Sequence, residues 1–375
     1  MSEWQACTLS DVLKFGNGKS RPKEYGTIPV YGGNGILDYT NSSNYQDETI
    51  VIGRVGAYCG ATYYEDKQIW VSDNALSAKA LNRNDAKFLY YFLKNLDLNQ
   101  FAQGSSHPLL TQTLLNSIEV VVPSSPLEQK AIASVLSSLD DKIDLLHRQN
   151  KTLEAMAETL FRQWFIEEAK EDWEEVTLAD VCTRITDGSH SSPASVEDGY
   201  PMASVKDMYD WGINQSTCRK ISKEDYEVLV QADCKALQGD ILIAKDGSYL
   251  KHVFLMEESL DVVLLSSIAM LRPNGQYHPM LLTLFLKLDS THELMQNIVT
   301  GAVIPRIVLK DFRKFPIQLP PKDLQDKAVK IVKPIFEKCW ENNRQIQTLE
   351  NLRDTLLPKL MSGEVRVQFQ TEEVA

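Results

Sequence analysis

The chain is written twice. Trp4 with Thr8-Leu9-Ser10-Asp11-Val12 returns 169 residues later as Trp173 with Thr177-Leu178-Ala179-Asp180-Val181. Ile50-Val51-Ile52-Gly53-Arg54-Val55-Gly56 returns as Ile241-Leu242-Ile243-Ala244-Lys245-Asp246-Gly247, at an offset of 191. The offset is then 197 for Gly104 to Gly301, Pro108 to Pro305, Pro123 to Pro320, and Leu127-Glu128-Gln129-Lys130-Ala131-Ile132 to Leu324-Gln325-Asp326-Lys327-Ala328-Val329. Leu153-Glu154 and Thr159-Leu160 recur as Leu349-Glu350 and Thr355-Leu356, at 196. An offset that drifts and then settles describes two copies of one unit, differing by insertions early and matching late.

Each copy has a variable globular part followed by a helical part. Ser125-Pro126-Leu127-Glu128 fits a capping box with proline at the first helical position. Beyond it Ile132, Leu136, Leu139, Ile143, Leu146, Asn150, Leu153, Ala157, Leu160 and Trp164 alternate steps of four and three. That is a heptad seam, and a helix over 126–168 would measure about 65 Å. The second copy is less regular: Ala328, Ile331, Ile335, Cys339, Asn342, Ile346, Leu349, Leu356 and Leu360, with Arg353 where an apolar residue is expected. Pro334 is expected to kink this helix or delay its start, and Pro358 and Gly363 to mark its end. Two such helices in a duplicated chain are expected to pair antiparallel, with a globular domain at each end of a rod. Asn150 on the seam has the character of a register-fixing polar residue.

Composition narrows the class. The 375 residues carry 51 Asp+Glu against 39 Lys+Arg, a net charge of -12, with 43% hydrophobic residues. This is a globular composition of two to three domains by length. No apolar run approaches the roughly 20 residues of a membrane helix, and the start lacks a signal-peptide stretch, so a cytoplasmic protein with no membrane partner is expected. The six cysteines have no CxxC spacing and read as reduced packing residues. No HExxH, GxSxG or Walker lysine loop is present, nor an Asn-Pro-Pro-Tyr-like tetrapeptide. Glu128-Gln129-Lys130 imitates the end of a nuclease ExK motif but reads as helix surface. No catalytic residue and no metal site is therefore expected.

The globular parts contain loops suited to nucleic acid. The stretch Phe15-Gly16-Asn17-Gly18-Lys19-Ser20-Arg21-Pro22-Lys23 joins glycines to three cations, and Tyr31-Gly32-Gly33-Asn34-Gly35 follows. Arg54 sits in a Gly-Arg-Val-Gly turn, with Tyr58 and Gly60 beyond it, and Ser106 and His107 lie in a glycine-serine loop. Such loops bring donors to phosphates while one or two side chains read base edges. The second copy has Ser189 and His190 in the first loop, Lys245 at the Arg54 position and Arg306 near the third. Lys206, Lys251, Lys310, Arg313 and Lys314 are candidate phosphate contacts. One scaffold with different side chains is how two recognition surfaces for two sequences would look. The acidic balance bears against binding by bulk charge. Residues 1–123 hold ten cations and twelve anions, net -2, and residues 169–320 hold 15 and 22, net -7. Weak DNA binding by the chain alone is expected.

Taken together the residues resemble the specificity subunit of a type I restriction-modification system. The resemblance rests on the duplicated halves and on Ile52-Gly53-Arg54-Val55-Gly56-Ala57-Tyr58-Cys59-Gly60 leading to Ile69-Trp70-Val71-Ser72-Asp73-Asn74-Ala75. It also rests on Pro126-Leu127-Glu128-Gln129-Lys130-Ala131-Ile132 and Leu160-Phe161-Arg162-Gln163-Trp164-Phe165. It implies an α/β fold: two mixed α/β target-recognition domains, 1–123 and 169–320, separated by a long antiparallel two-helix coiled coil, with internal pseudo-twofold duplication. The spacer helices would occupy 124–168 and 321–362, and 363–375 would be a disordered tail. The resemblance further implies that each domain reads half of a split double-stranded DNA target while the helices act as a ruler. Two methyltransferase subunits would bring S-adenosylmethionine and adenine chemistry, and restriction subunits ATP and Mg. The chain itself would hold no cofactor. Two other readings stay open: a stand-alone DNA-modifying enzyme, and a coiled-coil scaffold that never touches DNA.

Overall fold

The computed structural model describes residues 3–104, 108–247, 251–300 and 306–368. The chain divides into two compact units, one made of residues 1–144 and 347–375, the other of 145–346. Two long helices, Pro126–Arg162 and Lys322–Met361, each contribute one stretch to each unit.

In the first unit an antiparallel four-stranded sheet has the order Leu13–Asn17, Ala75–Ala80, Thr49–Gly53, Thr62–Glu65. A three-stranded sheet, Gly35–Thr40, Ile28–Gly32, Trp70–Val71, ends in a parallel pair. The strand Thr49–Gly53 is buried throughout because it serves two cores. Ile50 and Ile52 pack under the helix Ala86–Asn95 with Phe88, Leu89 and Phe92, whereas Val51 faces Tyr31, Ile69 and Val71. Alternation of side chains along a strand produces this division. A ribbon of Trp4–Thr8 with Glu119–Pro123 closes the unit.

The second unit repeats every one of these pairings. Its four-stranded sheet runs Cys182–Asp187, Ile268–Pro273, Ile241–Ala244, Val253–Leu255, and its three-stranded sheet Arg219–Ile221, Tyr200–Ala203, Val263–Leu264, again ending parallel. Ile241 and Ile243 face one cluster, Leu242 and Ala244 another. Even the first turn is copied: Asp11 accepts from the Thr8 amide at 2.8 Å and Asp180 from the Thr177 amide at 2.7 Å. The hairpin Met208–Tyr209 with Gly212–Ile213 and the helix Lys223–Gln231 lie where the offset grows, and they account for much of its drift.

In the first unit the two long helices pack antiparallel. Arg353 meets Asp140 at 2.9 Å, and Arg366, just past the second helix, meets Glu128 at 2.9 Å. Tyr91 donates to the same Asp140 at 2.6 Å, tying the domain helix to both. The seam position expected to be apolar is thus an ion pair. In the second unit Asn150 is buried and donates to the Cys339 carbonyl, while Asn342 donates to Asn150 at 2.7 Å and to Gln149 at 3.0 Å. Ile143, Leu146 and Ile346 are buried on the seam; Leu139, Leu153, Leu160, Leu349 and Leu356 are half-buried, and Phe161 and Phe165 carry the deeper packing near the first helix's end.

Four expectations are corrected. The second seam runs through Val332 and Phe336, with Ile331 50% exposed and Ile335 half-buried at the edge of the same cluster. Apolar residues stand at both positions of each pair, and only packing against the second core selects between them. Pro334 and Pro358 lie inside an unbroken helix of 40 residues. Both sit on its exposed face, with Lys330 and Asp354 one turn earlier, so the backbone acceptor each proline abandons is on the side water can reach. Glu128 and Gln129 are fully buried and not helix surface. The expected disordered tail is partly packed: Gly363 adopts φ +75° beside the Trp4 ring, the Arg366 guanidinium lies 5.5 Å from that ring's centre and Val367 packs on the first core, while Glu364, Val365 and Gln368 are exposed. Residues 369–375 lie outside the described residues.

Candidate nucleic-acid interface

In each unit a short turn gathers the loops singled out from sequence. In the first it is 72–75. The Gly18 amide donates to Ala75, Lys19 to Val71, Arg54 to Asn74 and Ser72 to Tyr31. A Cβ on Gly18 would stand 1.8 Å from the Ser72 carbonyl oxygen, so this approach requires glycine. In the second unit the turn is 265–268. Gly188 donates to Ile268, Ser189 to Leu264 and Lys245 to Ser267, and a Cβ on Gly188 would stand 2.2 Å from the Leu264 oxygen.

The backbone around the central cation is also duplicated. The Arg54 carbonyl accepts from Leu110 and the Lys245 carbonyl from Ile307. Val55 bridges to Leu109 and Asp246 to Arg306. Gly56 and Gly247 have φ of +75° and +73°, a conformation that favours glycine. These equivalences pair Arg54 with Lys245, Val55 with Asp246 and Leu109 with Arg306; those at the first loop pair Asn17 with Asp187 and Ser20 with His190.

The side chains at these positions differ in charge. Lys245 is 3% exposed, and its ammonium lies 3.0 Å from Asp187 and 3.4 Å from Asp246. Arg306 holds Asp246 at 2.9 Å and His190 holds Asp187 at 3.3 Å. In the first unit the Nε of Arg54 is buried and has no hydrogen-bond partner among the described residues. Tyr58 beside it is 52% exposed and borders a cleft of about 400 Å³ lined with Lys94 and Asn99.

A family model described as type I restriction modification DNA specificity domain matches residues 1–155 and again 170–351. The chain belongs to that family. A specificity subunit of the type I restriction enzyme MjaIX of Methanocaldococcus jannaschii is 28% identical over 314 residues, 76% of this chain and 70% of the relative. That of the HindI enzyme of Haemophilus influenzae is 21% identical over 360 residues, covering 74% and 77%. The fold is shared with the crystal structure of a type I restriction-modification S subunit from M. genitalium, with a TM-score of 0.62 at 21% identity, covering 99% of this chain and 97% of that one.

Within this specificity-domain scaffold the candidate residues fall into three groups. Lys19, Ser20, Asn34 and Tyr58 are exposed and Arg54 is half-buried, all on loops joined to the 72–75 turn; Gly33 approaches Asn74 and Val55. Arg21 is exposed and pairs with Asp38 at 3.6 Å. His190, Lys206, Lys251 and Arg306 are exposed in the second unit, where the Val205 amide beside Lys206 donates to the Ser267 hydroxyl. Two candidates are corrected to structural roles: Lys245 is committed to two carboxylates and the Ser189 hydroxyl is used within its own loop at Ser191, whereas Arg313 donates to the Ile185 carbonyl at 2.6 Å and remains exposed. Ser106 and His107, with 301–305, lie outside the described residues.

Exposed Asp73 and Asn74 on the first turn belong with the candidates, and their place beside the Trp-Val-Ser motif was the available signal. Among the described residues no group of side chains could hold a metal, and no helix is long and apolar enough to cross a membrane.

Proposed function

We propose that the chain selects the DNA target of a type I restriction-modification complex. Each unit reads one half of a bipartite sequence with the loops gathered at 72–75 or 265–268, and the two long helices set the spacer. The observation that carries this reading is one backbone arrangement built twice, with different side chains at equivalent loop positions. Two recognition surfaces of different sequence preference need that combination.

Catalysis lies in partners: methyltransferase subunits carry S-adenosylmethionine and modify adenine, and restriction subunits carry ATP and Mg. The acidic charge of residues 169–320, net -7, fits an affinity shared with those partners. Coexpression with the methyltransferase subunit and mapping of methylated adenines tests the proposal. One split motif is expected, and exchanging residues 1–123 for another such domain should change one half of it. Methylation without sequence preference, or a change in both halves, would overturn it.

A further inference from the structure

The two units treat the equivalent cation position in opposite ways: Lys245 is buried and Arg54 half-buried. In the second, Lys245 sits in a network in which Asp187 meets Lys245 and the His190 ring, and Asp246 meets Lys245 and Arg306. At the equivalent positions the first unit has Ser20, Asn17, Val55 and Leu109. Every neutralising partner is gone and the central cation is kept, as arginine. Its Nε is buried and unpartnered among the described residues. A buried donor left unmatched is costly and is rare in native structures. The guanidinium offers a planar fork of donors that suits a pair of acceptors. Around it Val55 is 40% and Tyr58 52% exposed, leaving an apolar rim open to a sugar or base face. A Cβ on Gly56 would meet nothing within 4 Å, so the approach is clear on that side.

We propose that Arg54 grips a paired acceptor on DNA, and that Lys245 makes no such contact because Asp187 and Asp246 already neutralise it. This rests on the DNA-recognition reading above. The paired acceptor is either two oxygens of a phosphodiester or the O6 and N7 of guanine, and the two sources separate in the test.

Binding of the full chain with its methyltransferase subunit is measured on a duplex carrying the mapped target and on a scrambled duplex of the same length, across a salt series. Arg54→Ala should weaken target binding about ten- to a hundredfold. If the acceptor is a phosphate, both duplexes lose affinity alike and the slope of log K against log salt falls by about 1. If it is guanine, the loss is confined to the target and one base pair of the first half-site becomes degenerate. Asn17→Asp combined with Val55→Asp keeps Arg54 but installs the second unit's carboxylates, and should reproduce the loss in a folded protein. A selective wild-type complex unaffected by either variant overturns the assignment of Arg54 alone. A wild-type complex indifferent to sequence overturns the recognition reading and this inference together.

Discussion

Gln129 and Gln325 are both about 1% exposed and close the same hydrogen bonds in their respective units. The side-chain oxygen of each accepts at 2.8 Å the amide of a helix N-cap, Asp85 or His278. The nitrogen of each donates at 2.9 Å to a proline carbonyl at the end of the last strand, Pro123 as its final residue or Pro320 just past it. A second bond goes to Asn84 in one unit and to the Gln276 carbonyl in the other. One amide thereby fixes a long helix to the start of a domain helix.

Gln129→Ala should therefore cost about 3 kcal/mol, since it strands a buried amide and a buried carbonyl. Gln129→Glu, which keeps the acceptor but loses the donors, should fall between it and wild type in urea unfolding. Equal stability of all three would show that water replaces the amide.

The network around Lys245 makes an asymmetric prediction. Asp187→Asn removes the nearer carboxylate from a buried ammonium and should cost about 3 kcal/mol. Lys245→Met should cost less, because Asp187 keeps His190 and Asp246 keeps Arg306. Thermal melting of the two variants ranks them, and the reverse order would mean that the carboxylates, not the ammonium, are the vulnerable charges.

Acid should loosen the second unit through His278. Its Nδ1 accepts the Met280 amide at 3.3 Å, which requires an unprotonated ring nitrogen. Burial, and then the charge of Lys322, hold its pKa below the ordinary 6.5. The unfolded chain therefore binds the proton more readily than the folded one. This part of the stability is complete above about pH 6.5 and is lost as pH falls from there through the folded pKa. His278→Asn retains a capping acceptor and does not titrate, so it should lose less stability between about pH 7.5 and 5.5 than wild type. His292, also lowered by burial, leaves a residual slope. Identical losses in urea titrations at the two pH values would remove His278 from the acid response.

Asn150 and Asn342 should trade stability for register. Asn150→Leu alone takes one of two acceptors from the Asn342 amide and should cost about 2 kcal/mol. Replacing both with leucine should recover that loss while freeing the helices to slip, which spacer mapping would read as a second permitted spacing. A double variant no more stable than the single one would argue against this account.

The duplication, the start of the first long helix at Pro126 and its seam through Ile143 and Leu146 were legible because identity and periodicity carry them directly. The glutamine pair was not. Matching Leu127 to Leu324 sets Glu128 against Gln325, whereas the hydrogen bonds set Gln129 there, at the offset of 196 that the later helix already shows. One residue fewer between Pro320 and the helix start makes the difference. The second seam was ambiguous because Ile331-Val332 and Ile335-Phe336 offer two equal ladders to any hydropathy pattern. At the interface, sequence located the loops but not the state of their cations. Lys245 and Arg54 look alike until Asp187, distant in sequence, is seen beside one and Asn17 stands in its equivalent place.

The stacking of Arg366 on Trp4 has a consequence for synthesis. The first unit draws on residues 1–144 and on the stretch after 346, so a ribosome delivers its last pieces some 200 residues after its first. At 5–20 residues per second that delay is roughly 10 to 40 s. The second unit, continuous from 145 to 346, is complete sooner. The half of the protein begun first is thus the half completed last, because Leu360 and Met361, which share a core with Ile132 and Leu136, emerge only after the whole second unit.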